Sequence, residues 1–185
     1  AVFLATNIKK DKYIAFFFII GMSVAFFDLL SVPLLTLGIP LLIIYAKEEK
    51  IHFLYIFLYC SVWWGGYALF WIAKPLIATC ILQQNIIADF WHQAIYRVGG
   101  SNPRPVEMPI WLQAIIMNGR VLVGLVPILL YFRKKIYWNS DYGIPLLLIG
   151  GMPILWICIL ANHSAIHYWF TARIFMISCF ALFVY

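Results

Sequence analysis

Apolar residues run along this chain in long blocks separated by short polar stretches. The first block, residues 13–46, has lysines at both ends and holds Asp28, Ser31, Pro33, Gly38 and Pro40 in its middle. One bilayer crossing takes about 20 residues, so the block is too long for one span and short for two full ones. A tight helical hairpin is predicted, from residue 13 to about 30 and from about 32 to 46, because membrane helices tolerate Pro and Gly where neighbouring protein satisfies the freed backbone. Asp28 then lies near the turn. The next block, residues 51–73, reads as a span and carries Trp63, Trp64, Tyr67, Phe70 and Trp71 toward its far end. Trp and Tyr favour the membrane–water interface.

Residues 74–109 have a different rhythm. Ile77, Ile81, Ile86, Ile87, Phe90, Trp91 and Ile95 alternate with Gln83, Gln84, Asn85, Asp89, His92, Gln93 and Arg97. This spacing predicts an amphipathic helix lying at the membrane surface. The run GGSNPRPVEMP, residues 99–109, is a loop. Apolar blocks return over 110–132 and 144–161, the second containing Pro145 and Pro153. Residues 162–173 form a polar segment, and 174–185 open a last apolar run that is too short to cross. The predicted fold is all-α: one membrane domain, a polytopic transmembrane helix bundle of about six spans with an amphipathic outer-surface helix. A start at Ala1 and an end inside an apolar run lead us to expect an internal fragment of a longer chain.

Composition sharpens this reading. Apolar residues make up 65% of the chain and charged ones 11%, against about 45–50% and about 25% in soluble domains. With a mean hydropathy of +0.94, a water-soluble globule and a disordered chain are both excluded. The net charge of +6 is concentrated in Lys9, Lys10 and Lys12, in Lys47 and Lys50, and in Arg133, Lys134 and Lys135. Short basic clusters between apolar runs mark cytoplasmic loops. They predict the bilayer, and no nucleic acid, as partner. They also place the amphipathic segment and residues 162–173 together on the outer face. Cys60, Cys80, Cys158 and Cys179 form no CxxC pair and read as small buried hydrophobes.

Ionisable groups inside such a chain are functional candidates. Asp28 is a candidate catalytic carboxylate, with a helix-capping role as the alternative. Asn162, His163, Ser164, His167 and Arg173 form a dense polar run in which His163 and His167, four apart, share a helix face. Two imidazoles do not make a metal site, and no Glu completes an HExxH motif. They suit a phosphate, with Arg173 supplying fixed charge and a forked donor. The other reading of this run is an interfacial aromatic belt. Arg120, beside Asn118, is a candidate partner of Asp28 or of an anionic group, unless it only snorkels to an interface. Arg97 is a candidate ligand for a headgroup phosphate.

Three segments carry a resemblance: FFDLLSVPLLTLGIPLL (residues 26–42), IATCILQQNIIADFWHQAIYR (77–97) and PILWICILANHSAIHYWFTAR (153–173). They resemble a group of bacterial polytopic membrane proteins associated with glycosyltransferases of the GT-C type. The resemblance implies a helical enzyme of the bacterial plasma membrane that uses a polyprenyl-phosphate-linked sugar at the extracytoplasmic face. It also implies an acidic residue in the first outer loop, often with a divalent metal ion. No flanking motif equates Asp28 with that acid. In such a transfer a carboxylate takes the acceptor's proton, and His163, His167 and Arg173 hold the departing phosphate. The alternatives are a transporter or flippase of a lipid-linked or anionic substrate, and a non-catalytic membrane subunit of envelope assembly.

Overall fold

The computed structural model describes residues 8–27, 33–48, 52–99, 108–132 and 139–184. All regular structure among them is helical, as the sequence pattern requires. The predicted hairpin has two arms, α1 (Tyr13–Phe26) and α2 (Leu35–Lys47). Its turn, with Asp28, lies outside the described residues, as do Lys50, Arg104 and the Arg133–Lys135 cluster. At the other end the arms are tied together. The Tyr13 hydroxyl donates to Glu48 Oε1 at 3.1 Å, and Lys10 Nζ stands 3.3 Å from Glu48 Oε2. Tyr13 and Lys10 together lower the Glu48 pKa, the tyrosine bond contributing most.

The next helix, α3, spans Phe53–Leu82 and so runs past the boundary expected at residue 73. Lys74 and Pro75 do not end it. Proline in a helix forfeits the bond to the carbonyl four residues back, and the buried Pro75 ring is accommodated by packing. Thirty residues at about 1.5 Å each give about 45 Å, more than a bilayer core of about 30 Å. His52 Nδ1 starts α3 by accepting the Leu54 N–H at 3.4 Å. Gln83 stops it in a left-handed conformation (φ 53), and its Nε2 donates to the Cys80 carbonyl at 2.7 Å. The amphipathic helix, α4 (Ile86–Val98), begins three residues later, its first N–H held by Thr79 Oγ1 at 3.2 Å.

Glycine decides how α1 meets α3. A Cβ on Gly21 would collide with the Trp63 carbonyl, and one on Gly66 with the Phe18 carbonyl. The two backbones therefore touch, as small residues allow between membrane helices. At this seam Trp63 is fully buried and donates its indole N–H to Thr36 Oγ1 at 3.2 Å. The Thr36 hydroxyl in turn donates to the Pro33 carbonyl at 2.7 Å.

The expected span over 110–132 is divided. α5 (Ile110–Gly119) passes into a 3-10 stretch, Arg120–Leu125, and then α6 (Val126–Phe132). α7 (Ser140–Ile159) follows, capped by Asn139 Oδ1 accepting from the Asp141 N–H at 2.9 Å. The chain ends in short pieces: α8 (Ala161–Ile166), α9 (Tyr168–Thr171), a 3-10 turn (Ala172–Phe175) and α10 (Met176–Val184). α10 packs between α2 and α7, with Ile177 against Gly38 and Ser178 Oγ donating to the Gly150 carbonyl at 2.6 Å.

Large apolar side chains also cover the outside. Ile81, Phe183, Phe27 and Leu155 are 74%, 69%, 67% and 65% exposed. Soluble monomers rarely carry such continuous apolar surface. Among the described residues α3 is the helix long and apolar enough to cross a membrane. The apolar helices Leu35–Lys47, Ile110–Gly124, Gly143–Ile159 and Tyr168–Val184 are shorter.

Candidate functional site

The connection from α7 to α10 departs from helical geometry at Leu160 (φ −101, ψ 49) and at His167 (φ −109, ψ 33). Neither break is marked by Pro or Gly. Distant side chains support them instead. Asn118, fully buried on α5, donates through Nδ2 to the Ala114 carbonyl at 2.8 Å and to the Ser164 carbonyl at 2.9 Å. Its Oδ1 accepts from the buried Thr171 hydroxyl at 2.5 Å. That hydroxyl oxygen also lies 3.1 Å from the His167 carbonyl. Both protons and the oxygen of the Asn118 amide are thus engaged, which makes it a structural pin. Ser164 belongs to this knot through its carbonyl, and its buried Oγ has no partner among the described residues.

The other candidates on α8 reach toward α4. Asn162 Nδ2 donates to the Tyr96 carbonyl at 2.7 Å, satisfying an acceptor in the last turn of α4. Asn162 Oδ1 is buried without a partner among the described residues, and so is His163 Nε2. The predicted His163–His167 pair is formed, with ring centroids 4.9 Å apart. Burial above all, then the neighbouring His167 and Arg97, pushes the His163 pKa down to about 4. His163 is therefore neutral near pH 7. It offers a hydrogen bond there and no charge.

The fixed charge beside it comes from Arg97, whose guanidinium carbon lies 5.7 Å from the centre of the Trp71 ring. Arg173, expected in that role, is exposed and stands 5.2 Å over its own neighbour Phe170. Arg120 is exposed at the start of the 3-10 stretch. Its expected pairing with Asp28 lies outside the described residues.

Beneath α4 is an apolar cavity of about 260 Å³. Phe90, Ala94 and Arg97 of α4 face Trp64 and Trp71 of α3 and Trp156 of α7 across it. Sequence reading assigned the aromatic residues of α3 to an interface belt and did not single out Trp156. A signal was present: Trp156, Leu160, His163 and His167 follow at intervals of four, three and four, the spacing of one helix face in the sequence. Trp156 and Leu160 line the cavity.

The donor set does not fit a divalent metal among the described residues. His163 and His167 supply two nitrogens, and no group of three His, Cys, Asp or Glu comes together there. A catalytic zinc takes three protein ligands.

The fold and site define an all-helical protein with an apolar exterior and a buried polar cluster under an amphipathic helix. No protein-family model matches the chain, and no curated protein or solved structure matches it significantly.

Proposed function

We propose that this chain is a polytopic membrane protein of the bacterial plasma membrane, similar to GT-C type glycosyltransferases. It transfers a sugar from a polyprenyl-phosphate carrier at the extracytoplasmic face. The supporting observation is that Arg97, which lines an apolar cavity, acts electrostatically on the neutral His163, whose ring meets that of His167. An amphiphile with an anionic head needs those two surroundings side by side.

In this reading α3 crosses the bilayer and the shorter apolar helices of the bundle cross with it, about six spans in all. The helix α4 lies in the interface. Its Trp91, Ile95 and Val98 form an exposed apolar stripe for the lipid, while Asp89, His92 and Gln93 face water.

The reaction breaks the bond between the sugar's anomeric carbon and the phosphate oxygen. A bond forms from that carbon to the acceptor's hydroxyl oxygen, and the proton goes to a base. Asp28 is the candidate base. Arg97 meets the charge that builds on the departing polyprenyl phosphate. His163 and His167 add hydrogen bonds to it.

The test is sugar transfer from a labelled polyprenyl-phosphate donor by the purified full chain in detergent. Arg97→Gln and His163→Ala are expected to lower kcat/KM by about 100-fold each, within the range of lost oxyanion donors and acid–base groups. Arg173→Gln is expected to have a smaller effect. Full activity in both the Arg97 and His163 variants would overturn the assignment.

The helix breaks at Leu160 and His167 favour a second reading, a transporter or flippase, because such proteins bind substrates at interrupted helices. A transporter works only in sealed vesicles. Turnover in detergent separates the two.

A further inference from the structure

The helix α4 is held at few points. None of its residues is buried, and Phe90, Ala94 and Arg97 stand over a cavity of about 260 Å³ instead of over packed side chains. Its start is fixed, because Gln83 turns the chain in the left-handed region and Thr79 Oγ1 accepts the Ile86 N–H. Further along, the Phe90 ring rests on Trp71 with centroids 4.8 Å apart, and the Arg97 guanidinium lies over the same indole. The last turn is tied to α8 by the bond from Asn162 Nδ2 to the Tyr96 carbonyl, 2.7 Å long. Elements with few buried contacts open before the rest of a fold does.

Each partner in that tie is followed by a group that carries or can take a positive charge. Arg97 follows Tyr96, His163 follows Asn162, and Arg97 acts electrostatically on His163. The His163 Nε2 atom is buried without a partner among the described residues. The elements packed on α8 are α4, α5, α7 and α9. α5 has no titratable side chain, α7 brings Cys158 in its last turns, and α9 brings Tyr168. α4 brings Tyr96 and Arg97, with exposed Asp89 and His92 further back. His167, between α8 and α9, is the other group that acts on His163. Both His167 and Arg97 oppose a proton on its ring, and no carboxylate among the described residues favours one.

We propose that α4 is a cover released by acid: a proton taken up by the His163 ring frees the last turn of α4 from Asn162, and the helix swings on the Gln83 corner to open the cavity. A charged ring is costly while it is dry and while Arg97 stands beside it, and parting α4 from α8 relieves both. Burial is the larger of the two effects, so water reaching the ring matters more than distance gained from Arg97. Asn118 keeps α8 on α5 through the Ser164 carbonyl, so α4 is the side that yields. The cover works whatever reaction the site performs. The orientation proposed above decides only that the proton comes from the extracytoplasmic side.

The size of the effect follows from linkage. His163 titrates near about 4 when covered and near about 6.5 when open to water. The open form thus binds the proton more tightly, and the open-to-covered ratio is expected to rise about 30-fold from about pH 7.5 to about pH 5.

The experiment measures distances between two nitroxide labels on the purified full chain in detergent, with native cysteines replaced. The labels go on Gln93→Cys, on the water-facing side of α4, and on Leu155→Cys of α7. One distance is expected at neutral pH. A second, longer one is expected to grow on acidification by the stated ratio, with far-ultraviolet circular dichroism unchanged. Asn162→Ala, which removes the tie, is expected to raise the open share about fivefold at every pH, the effect of one lost hydrogen bond. His163→Gln is expected to abolish the pH response, and His92→Gln to leave it intact.

A pH response that survives in His163→Gln would overturn the proposal. So would a single unchanging distance in both the labelled parent and its Asn162→Ala variant. Helix loss in step with the new distance would mean unfolding and would equally sink it. If His163→Gln does not fold, His163→Asn takes its place. If neither folds, the parent and Asn162→Ala decide, and a rise of less than fivefold in both counts against the cover. Sugar transfer plays no part in these readouts, so its absence would remove the transferase reading and leave the cover standing.

Discussion

His163 is the residue whose chemistry depends most on its surroundings. Unfolded, its imidazole titrates near about 6.5. Folded, burial brings it to about 4. Between those values the unfolded chain binds a proton that the folded one refuses, so stability falls as pH drops from about 6.5 toward about 4 and is complete above that window. Melting temperature followed from pH 7.5 to pH 4 is expected to show this loss, and His163→Gln is expected to remove part of it. An identical profile for the variant would mean that the ring is not buried as described. Asn118 makes a separate case. Asn118→Ala strips the support from the Ser164 carbonyl and the Thr171 hydroxyl, both buried, and is expected to cost about 1–3 kcal/mol in denaturant unfolding. The spacing of His163 and His167 was legible in the sequence because it is local. The role of Asn118 was not, since its partners lie 46 and 53 residues away. Arg97 was named as a candidate, but nothing local placed it beside the histidines.

At the scale of elements, the glycines of α1 and α3 carry different weights. Gly21 and Gly66 sit at backbone contact, whereas a Cβ on Gly65 would meet only open space. Gly21→Val is expected to destabilise by about 1–3 kcal/mol or more through overpacking. Gly65→Ala is expected to stabilise by up to about 1 kcal/mol, as alanine does over glycine inside helices. Unfolding midpoints in detergent check both, and equal shifts for the two positions would contradict the seam. Amphipathic α4 was readable because its apolar and polar residues follow the helical period. The end of α3 was misplaced, because Lys74 and Pro75 look like a boundary when their packing is unknown. The break at Leu160 falls beside the boundary expected at residue 161, where apolar residues give way to polar ones, whereas the break at His167 left no trace, for it lacks Gly and Pro and is held through Thr171 by Asn118 of α5.

For the whole molecule, apolar excess made an all-helical bundle legible, since a chain with so few charges has few alternatives in lipid. How the helices cross and where a cavity opens were not legible, because these depend on contacts between distant segments. The arrangement of crossings has its own test. With native cysteines replaced, a thiol at Lys12 and a thiol at Gln93 are expected to react with an impermeant reagent from opposite sides of sealed vesicles. Reaction from the same side would remove the interfacial α4 from the outer face and the proposed site with it.

Trp63 offers a further consequence. Its indole proton is buried at the seam of α1 and α3 and handed to Thr36, which is anchored in turn on Pro33 at the entrance to α2. Such a proton exchanges with deuterium only when three helices part together. Seven other tryptophans share the chain, yet this indole is a clock for the opening of the whole bundle. Its exchange half-life reports global breathing, whatever α4 does at the surface.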